Sequence, residues 1–211
     1  MNINELSESL AGLVDTLSPS LVTIVGRRVN ATATAWDSDV LVTANHNLPR
    51  RSQPVVRLAD GTEKAAVVLG RDPATDLALL KVDGLDLPVP TYVDDGARVG
   101  SLVLALANSG SGPRATLGLV SRTSDSWTTY EGAEVDRWIE VDGTLPMGFS
   151  GGPLISASGE VLGINTRSLV RGGTTLPTPT LREVLQQLRD TGRIEREPVK
   201  RSKHGMRSCR A

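Results

Sequence analysis

Two apolar periodicities divide the chain. In "NELSESLAGLVDTLSPS", residues 4–20, Leu6, Leu10, Leu13, Val14 and Leu17 recur three or four positions apart. That spacing predicts a short amphipathic helix packed on the body of the protein, and Pro19 forbids its continuation. From Leu21 to Leu176 the pattern shortens to runs such as "LVTIV", "VLVTA", "VVRL", "LALLKV", "LVLALA" and "EVLGINT", each bounded by turn residues. Such runs read as strands, and Asp60-Gly61 and Ser158-Gly159 between them carry hairpin-turn chemistry. About ten short strands at this spacing argue for a closed barrel or sandwich rather than alternating βαβ units. Beyond them, Leu181, Val184, Leu185 and Leu188 form one helical stripe, with Thr180 and Glu183 as a capping box and Gly192 as the stop.

The chain therefore divides into an N-terminal helix (1–20), two β units (21–95 and 96–179), a C-terminal helix (180–192) and a basic tail (193–211). The Pro- and Gly-containing stretch 85–100, "LDLPVPTYVDDGARVG", is the expected connection between the two β units. In the tail, Lys200, Arg201, Lys203, Arg207 and Arg210 occur without an acid. A run of this kind is expected to be a solvated end rather than a nucleic-acid-binding arm.

Composition narrows the choices. With 39% hydrophobic and 22% charged residues the chain is an ordinary globular one. Its net charge of -1 supplies no overall attraction to nucleic acid or to an anionic membrane, and neither partner is expected. No run of eighteen apolar residues exists to span a bilayer. Cys209 is the only cysteine, so no internal disulfide can form, and the first thirty residues lack the basic and apolar regions of an export signal. Together these make a cytoplasmic location the expectation. Two histidines and one cysteine cannot build a zinc site at ordinary spacing, and no phosphate-binding glycine loop occurs, so neither metal nor cofactor is expected.

The candidate chemistry lies in "GFSGGPL", residues 148–154, where Ser150 sits among three glycines. A surface turn would explain the glycines, and so would a loop that must approach a ligand closely. A serine hydroxyl needs a base to become a nucleophile, and His46 is placed for it at the end of the strand-like "VLVTANH". The other histidine, His204, lies in the basic tail. Asp76, directly before the apolar "LALLKV", would be costly to bury without a polar receiver, and an imidazole N–H is one. Asp72, before Pro73, suits a turn cap better. Glycine at 148 would let the backbone N–H groups of Gly148 and Ser150 point together at a developing oxyanion.

"TANHN", "DPATDLALLKV" and "GFSGGPL" resemble, in this order, the histidine, aspartate and serine motifs of trypsin-like serine proteases, specifically the HtrA/DegP group. The likeness runs from about residue 18 to 190, the protease portion alone, so neither a PDZ domain nor an export segment is expected. It implies an all-β, chymotrypsin-like double β-barrel with an N-terminal and a C-terminal helix. It further implies a His46–Asp76–Ser150 triad between the barrels, polypeptide substrates that are unfolded or misfolded, and a homo-oligomer, by resemblance a trimer. Thr144, Leu145, Pro146 and Met147 would form one wall of the substrate pocket. Ile164 and Asn165 in "GINTRS" would form the other, with an apolar character suited to small aliphatic side chains.

Three departures stand out: "TATAW" replaces glycines ahead of the histidine strand, Asn45 stands where alanine is common, and Phe149 replaces the usual asparagine. A ring beside the oxyanion loop supports a second reading, a protease-fold protein that binds peptides or partners with impaired catalysis. Gly148, Ser150 and Gly152 also fit the G-x-S-x-G elbow of α/β-hydrolases. That fold needs a helix after the serine, and Gly151-Gly152-Pro153 starts one poorly.

Overall fold

Apolar side chains alternating along the first strands bury both faces of a curled antiparallel sheet. The computed structural model describes residues 2–49 and 53–194. The first sheet contains β1 (Leu21–Ile24), β2 (Ala31–Ala35), β3 (Val40–Ala44), β4 (Val55–Arg57), β5 (Glu63–Ala65), β6 (Val67–Asp72) and β7 (Leu77–Lys81). Their spatial order is β5-β4-β1-β2-β3-β7-β6. Leu41, Ala78 and Leu80 point into the curl with Val22, Ile24 and Val56. The alternate positions Val40, Val42, Leu77 and Leu79 point outward, yet are buried as well. This is why "LALLKV" is apolar at successive positions.

The second sheet follows: β8 (Leu102–Asn108), β9 (Pro113–Ser124), a small ribbon of β10 (Trp127–Thr128) and β11 (Glu134–Val135), then β12 (Trp138–Val141), β13 (Pro153–Ser156), β14 (Val161–Thr166) and β15 (Thr174–Pro177). The six long members run β12-β9-β8-β13-β14-β15, and the end strands β12 and β15 lie against one another, so this sheet curls almost closed. Its interior holds Val103, Ala105, Val120, Ile139, Leu154 and the ring of Phe149. The hairpins around Asp60-Gly61 and Ser158-Gly159 form where the turn chemistry places them, with Gly61 and Gly159 at φ 87° and 85°.

Each terminal helix crosses to the sheet farther from it in sequence. The first helix, α1 (Ile3–Leu17), lays Leu10, Leu13 and Val14 on Leu104, Leu106, Ile155 and Val161 of the second sheet. Its start is capped by Asn2, which exchanges hydrogen bonds with Glu5. The last helix, α2 (Thr178–Thr191), sets Leu181, Val184, Leu185 and Leu188 against β6 and β7 of the first sheet and, on its other flank, against β14 and β15 of the second. Burial of each such leucine contributes about 1.5–3 kcal/mol, so the helices clamp the two sheets together.

Two expectations are corrected. The last helix begins at Thr178 behind Pro177, and Thr180 makes no capping box: its Oγ1 instead accepts from the Asp136 N–H at 3.0 Å. Proline preset at the first turn starts the helix two residues early. Residues 91–93, assigned by sequence to the first β unit, pair with the second, since Val161 N–H donates to Thr91 O and Val93 N–H to Val161 O. From residue 195 onward the basic tail, with His204 and Cys209, lies outside the described residues.

Candidate active site

β3 ends at Ala44 and a single tight helical turn, Asn45–Asn47, carries His46 to the junction between the sheets. Asp76 stands just ahead of β7. It is the only non-glycine among the described residues with a positive φ, 58°, a conformation Asp tolerates better than most residues. Asn45 N–H bonds the Asp76 carbonyl at 2.8 Å and holds this turn against the histidine segment. The Asp76 carboxylate then meets His46 twice, accepting the backbone N–H at Oδ1 (2.9 Å) and facing Nδ1 with Oδ2 (2.6 Å). Thr166 Oγ1 also donates to Oδ2. Burial opposes ionisation of Asp76, but hydrogen bonds from His46, Thr166 and Ser168 prevail and keep its carboxyl below the usual carboxylate range. A carboxylate facing Nδ1 favours the tautomer protonated there, which leaves a lone pair on Nε2. Asp72, the other acid, caps its own turn, accepting from Ala74 N–H and Thr75 Oγ1.

Ser150 follows a turn closed by Phe149 N–H to Pro146 O at 3.4 Å. Gly148 occupies its third position at φ 91°, which suits glycine. Among the described residues the N–H groups of Gly148 and Ser150 donate to no backbone acceptor. The Ser150 hydroxyl makes no hydrogen bond there either, and both hydrogen bonds of His46 go to Asp76. Three carbonyls of the loop, by contrast, are engaged by residues of the first β unit. Thr32 Oγ1 donates to Gly148 O (2.8 Å), Thr34 Oγ1 to Gly151 O (2.8 Å) and Asn47 Nδ2 to Ser150 O (2.9 Å). Gly151 and Gly152 have a different role from Gly148. A Cβ on either would lie 2.0 Å from a backbone oxygen, of Thr32 or Leu106, so the serine loop is wedged between the sheets at backbone contact.

The Phe149 ring does not enter the cleft. It is buried in the second sheet's core, and the Arg114 guanidinium stands 5.0 Å above its face. Arg114 Nη1 donates to Met147 O at 3.0 Å and to Ser109 Oγ at 3.1 Å. Because the peptide unit is planar and trans, a Met147 carbonyl turned to Arg114 turns the Gly148 N–H the opposite way.

His46, Gly148 and Ser150 line one cavity of about 580 Å³, open between the sheets. A second, of about 290 Å³, opens into the curl of the second sheet and is lined by Thr144, Leu145 and Asn165. Ile164, expected beside them, is instead 1% exposed and packs with Leu176 and Leu181, because successive strand residues face opposite sides. The second cavity is not purely apolar. Asn165 Oδ1 accepts from Thr175 Oγ1, leaving Nδ2 unpartnered, and Thr174 Oγ1 is unpartnered too. Asp142 stands on its wall, with Oδ1 bonded to Leu119 N–H.

Sequence reasoning missed Thr166, Asn47, Thr32, Thr34 and Arg114. The alternating threonines of "TATAW" were a signal: a strand buried on both faces keeps hydroxyls only where they find acceptors.

Two curled β units, with a histidine–carboxylate pair from the first facing a serine loop from the second, define the chymotrypsin-like class. Residues 31–164 match the trypsin-like peptidase domain, and the chain belongs to that family. It is 35% identical over 164 residues to a probable periplasmic serine endoprotease DegP-like of Pseudomonas putida (strain W619), covering 74% of this chain and 34% of that protein. It is 34% identical over 165 residues to the periplasmic pH-dependent serine endoprotease DegQ of Escherichia coli (strain K12), covering 74% and 36%. The chain thus spans about a third of the length of the curated relatives it matches. The crystal structure of Deg5 superposes with a TM-score of 0.79 at 26% identity, covering 92% of this chain and 99% of that one. The serine endoprotease from Yersinia pestis gives 0.72 at 28%, covering 87% and 67%. These likenesses fit the protease domain of the HtrA group.

They also correct the expected location. The relatives are named periplasmic, which points away from the cytoplasm. A fold held by packing alone needs no disulfide in either compartment, so a single cysteine does not mark a reducing one. Among the described residues no helix is long and apolar enough to cross a membrane.

Proposed function

We propose that the chain is a serine endopeptidase of the HtrA kind, cleaving unfolded or misfolded polypeptides through an acyl-enzyme on Ser150. The observation that carries this reading is the Asp76–His46 pair at 2.6 Å, whose histidine lines the same cavity as Ser150.

In this reading Ser150 Oγ attacks the scissile carbonyl carbon while His46 Nε2 takes its proton. Asp76 fixes the imidazole and balances the imidazolium, with Thr166 holding the carboxylate. The N–H groups of Gly148 and Ser150 receive the oxyanion; loss of one such donor removes about 3 kcal/mol of transition-state stabilisation. His46 then protonates the leaving amine, and water, deprotonated by the same imidazole, hydrolyses the ester. The side chain ahead of the scissile bond enters the smaller cavity beside Thr144, Leu145 and Asn165.

Labelling with a fluorophosphonate probe tests the reading. Covalent labelling of the protein that is lost in Ser150→Ala and His46→Ala is the expected result. No labelling of well-folded protein would overturn it in favour of peptide or partner binding without cleavage.

A further inference from the structure

The cavity that holds His46 and Ser150 is walled, among the described residues, by three arginines, Arg27, Arg28 and Arg167, and by no aspartate or glutamate. All three side chains are exposed, and none forms an ion pair or side-chain hydrogen bond among the described residues. Four other arginines behave differently: Arg57, Arg137, Arg182 and Arg189 each face a carboxylate, at 2.6 to 3.2 Å. The one carboxylate bonded to the site's residues, Asp76, is already committed to His46 and Thr166. On a chain of net charge -1, the positive charge at the cleft is therefore a local segregation.

The three guanidinium groups are also presented by constrained backbone. Arg27 and Arg28 stand at the tip of the loop from β1 to β2. Gly26 N–H bonds Asn30 Oδ1 at 3.1 Å across that loop, and a Cβ on Gly26 would lie 1.9 Å from Val29 O. Arg167 sits between Thr166 and Ser168, whose N–H donates to Thr166 Oγ1 at 3.2 Å. The charges thus come from both sheets and flank the serine–histidine pair from two directions. A cleft walled by one sign of charge focuses its field and raises the local concentration of oppositely charged ligand.

Resting on the peptidase reading above, we infer that the cleft selects polypeptide segments carrying aspartate or glutamate close to the scissile bond. The arginines pair with these side chains as the segment enters, which raises the encounter rate and fixes the segment along the cleft. Arginine suits this task because its fork of donors matches a carboxylate's two oxygens.

The test uses quenched fluorogenic peptides of one core sequence with Glu, Gln or Lys at the four positions flanking the cleavage point. At low salt, kcat/KM for the Glu peptide should exceed that for the Gln peptide by about tenfold or more, with the Lys peptide slowest. The advantage should shrink as salt screens the cleft. The Glu-to-Gln ratio should fall toward one in Arg27→Gln/Arg28→Gln/Arg167→Gln, and in part in each single variant should the triple fail to fold. Equal rates for Glu and Gln peptides, or a Lys preference, would overturn the inference while leaving the peptidase reading intact. Anisotropy of the same peptides, labelled, on Ser150→Ala separates the two claims. Charge-selective binding without turnover in the unaltered protein would support the cleft's selectivity and sink the peptidase reading. Binding indifferent to charge would sink the selectivity itself.

Discussion

Thr32 Oγ1 donates to the Gly148 carbonyl at 2.8 Å and accepts from the Asn108 N–H at 3.0 Å, so one buried hydroxyl joins a first-sheet strand to the serine loop and to β8. Thr32→Val keeps the shape and removes both bonds, leaving a buried carbonyl and a buried N–H unpaired. Each such orphan costs about 1–3 kcal/mol. The midpoint of urea unfolding is expected to fall accordingly, and kcat to drop more than KM rises, because in the proposed reaction this loop carries the oxyanion donors. Thr32→Ser should recover most of both.

Arg114 rests over the Phe149 ring and holds Met147 O at 3.0 Å. The arrangement gives the residue that departs from the HtrA pattern a structural task. Arg114→Ala is expected to free the Met147–Gly148 peptide to rotate and to lower kcat about tenfold or more, equivalent to roughly 1.4 kcal/mol of lost transition-state stabilisation. Binding of a substrate peptide to the Ser150→Ala background should change little, and a parallel fall in affinity would count against the positioning role.

Asp76 is ionised at lower pH folded than unfolded, because donors to its carboxylate outweigh the burial penalty. A depressed folded value means the stabilisation is fully present above the unfolded value of about 3.9 and is lost as pH falls through the folded one. Asp76→Asn should therefore flatten the acid limb of stability against pH below about 4, read by urea midpoints. In the proposed reaction it should also reduce kcat on the order of 10⁴-fold, the effect known for the equivalent change in a Ser-His-Asp protease.

Gly151 has φ 87°, and a Cβ there would lie 2.0 Å from Thr32 O. Gly151→Ala thus forces the sheets apart at the serine loop. Its expected cost is about 3 kcal/mol or more, as strain and over-packing combine, seen as a lowered thermal midpoint. Gly61→Ala is the control: φ is also positive but no atom lies within 4 Å, so a smaller loss is expected.

Much of the arrangement was legible in the residues. The helical stripe of Leu10, Leu13 and Val14, the alternating strands and the two glycine hairpins follow from local periodicity and turn chemistry, which need no distant partner. In the structure Asp76 meets His46 and Asp72 bonds Thr75. That Asp76 rather than Asp72 needs a distant polar partner was also accessible, since Asp76 directly precedes an apolar strand while Asp72, before Pro73, suits a turn cap. The start of the last helix was not, because Thr180 found a better use in the N–H of Asp136, 44 residues away in sequence.

The serine loop divides the two sources of information most sharply. By itself the sequence determined that the glycines around Ser150 mark a backbone that turns tightly or approaches another group closely. It also offered the histidine, the aspartate and the serine that the proposed mechanism uses. Only the tertiary structure decided that Gly151 and Gly152 are spacers for backbone contact, that the threonines of "TATAW" are struts, and that Phe149 turns inward beneath Arg114. It also decided which arginines remain without a carboxylate. Turns and helices are set by neighbours along the chain, whereas a buried hydroxyl, a missing Cβ or an unpaired charge takes its meaning from whatever the fold brings opposite it.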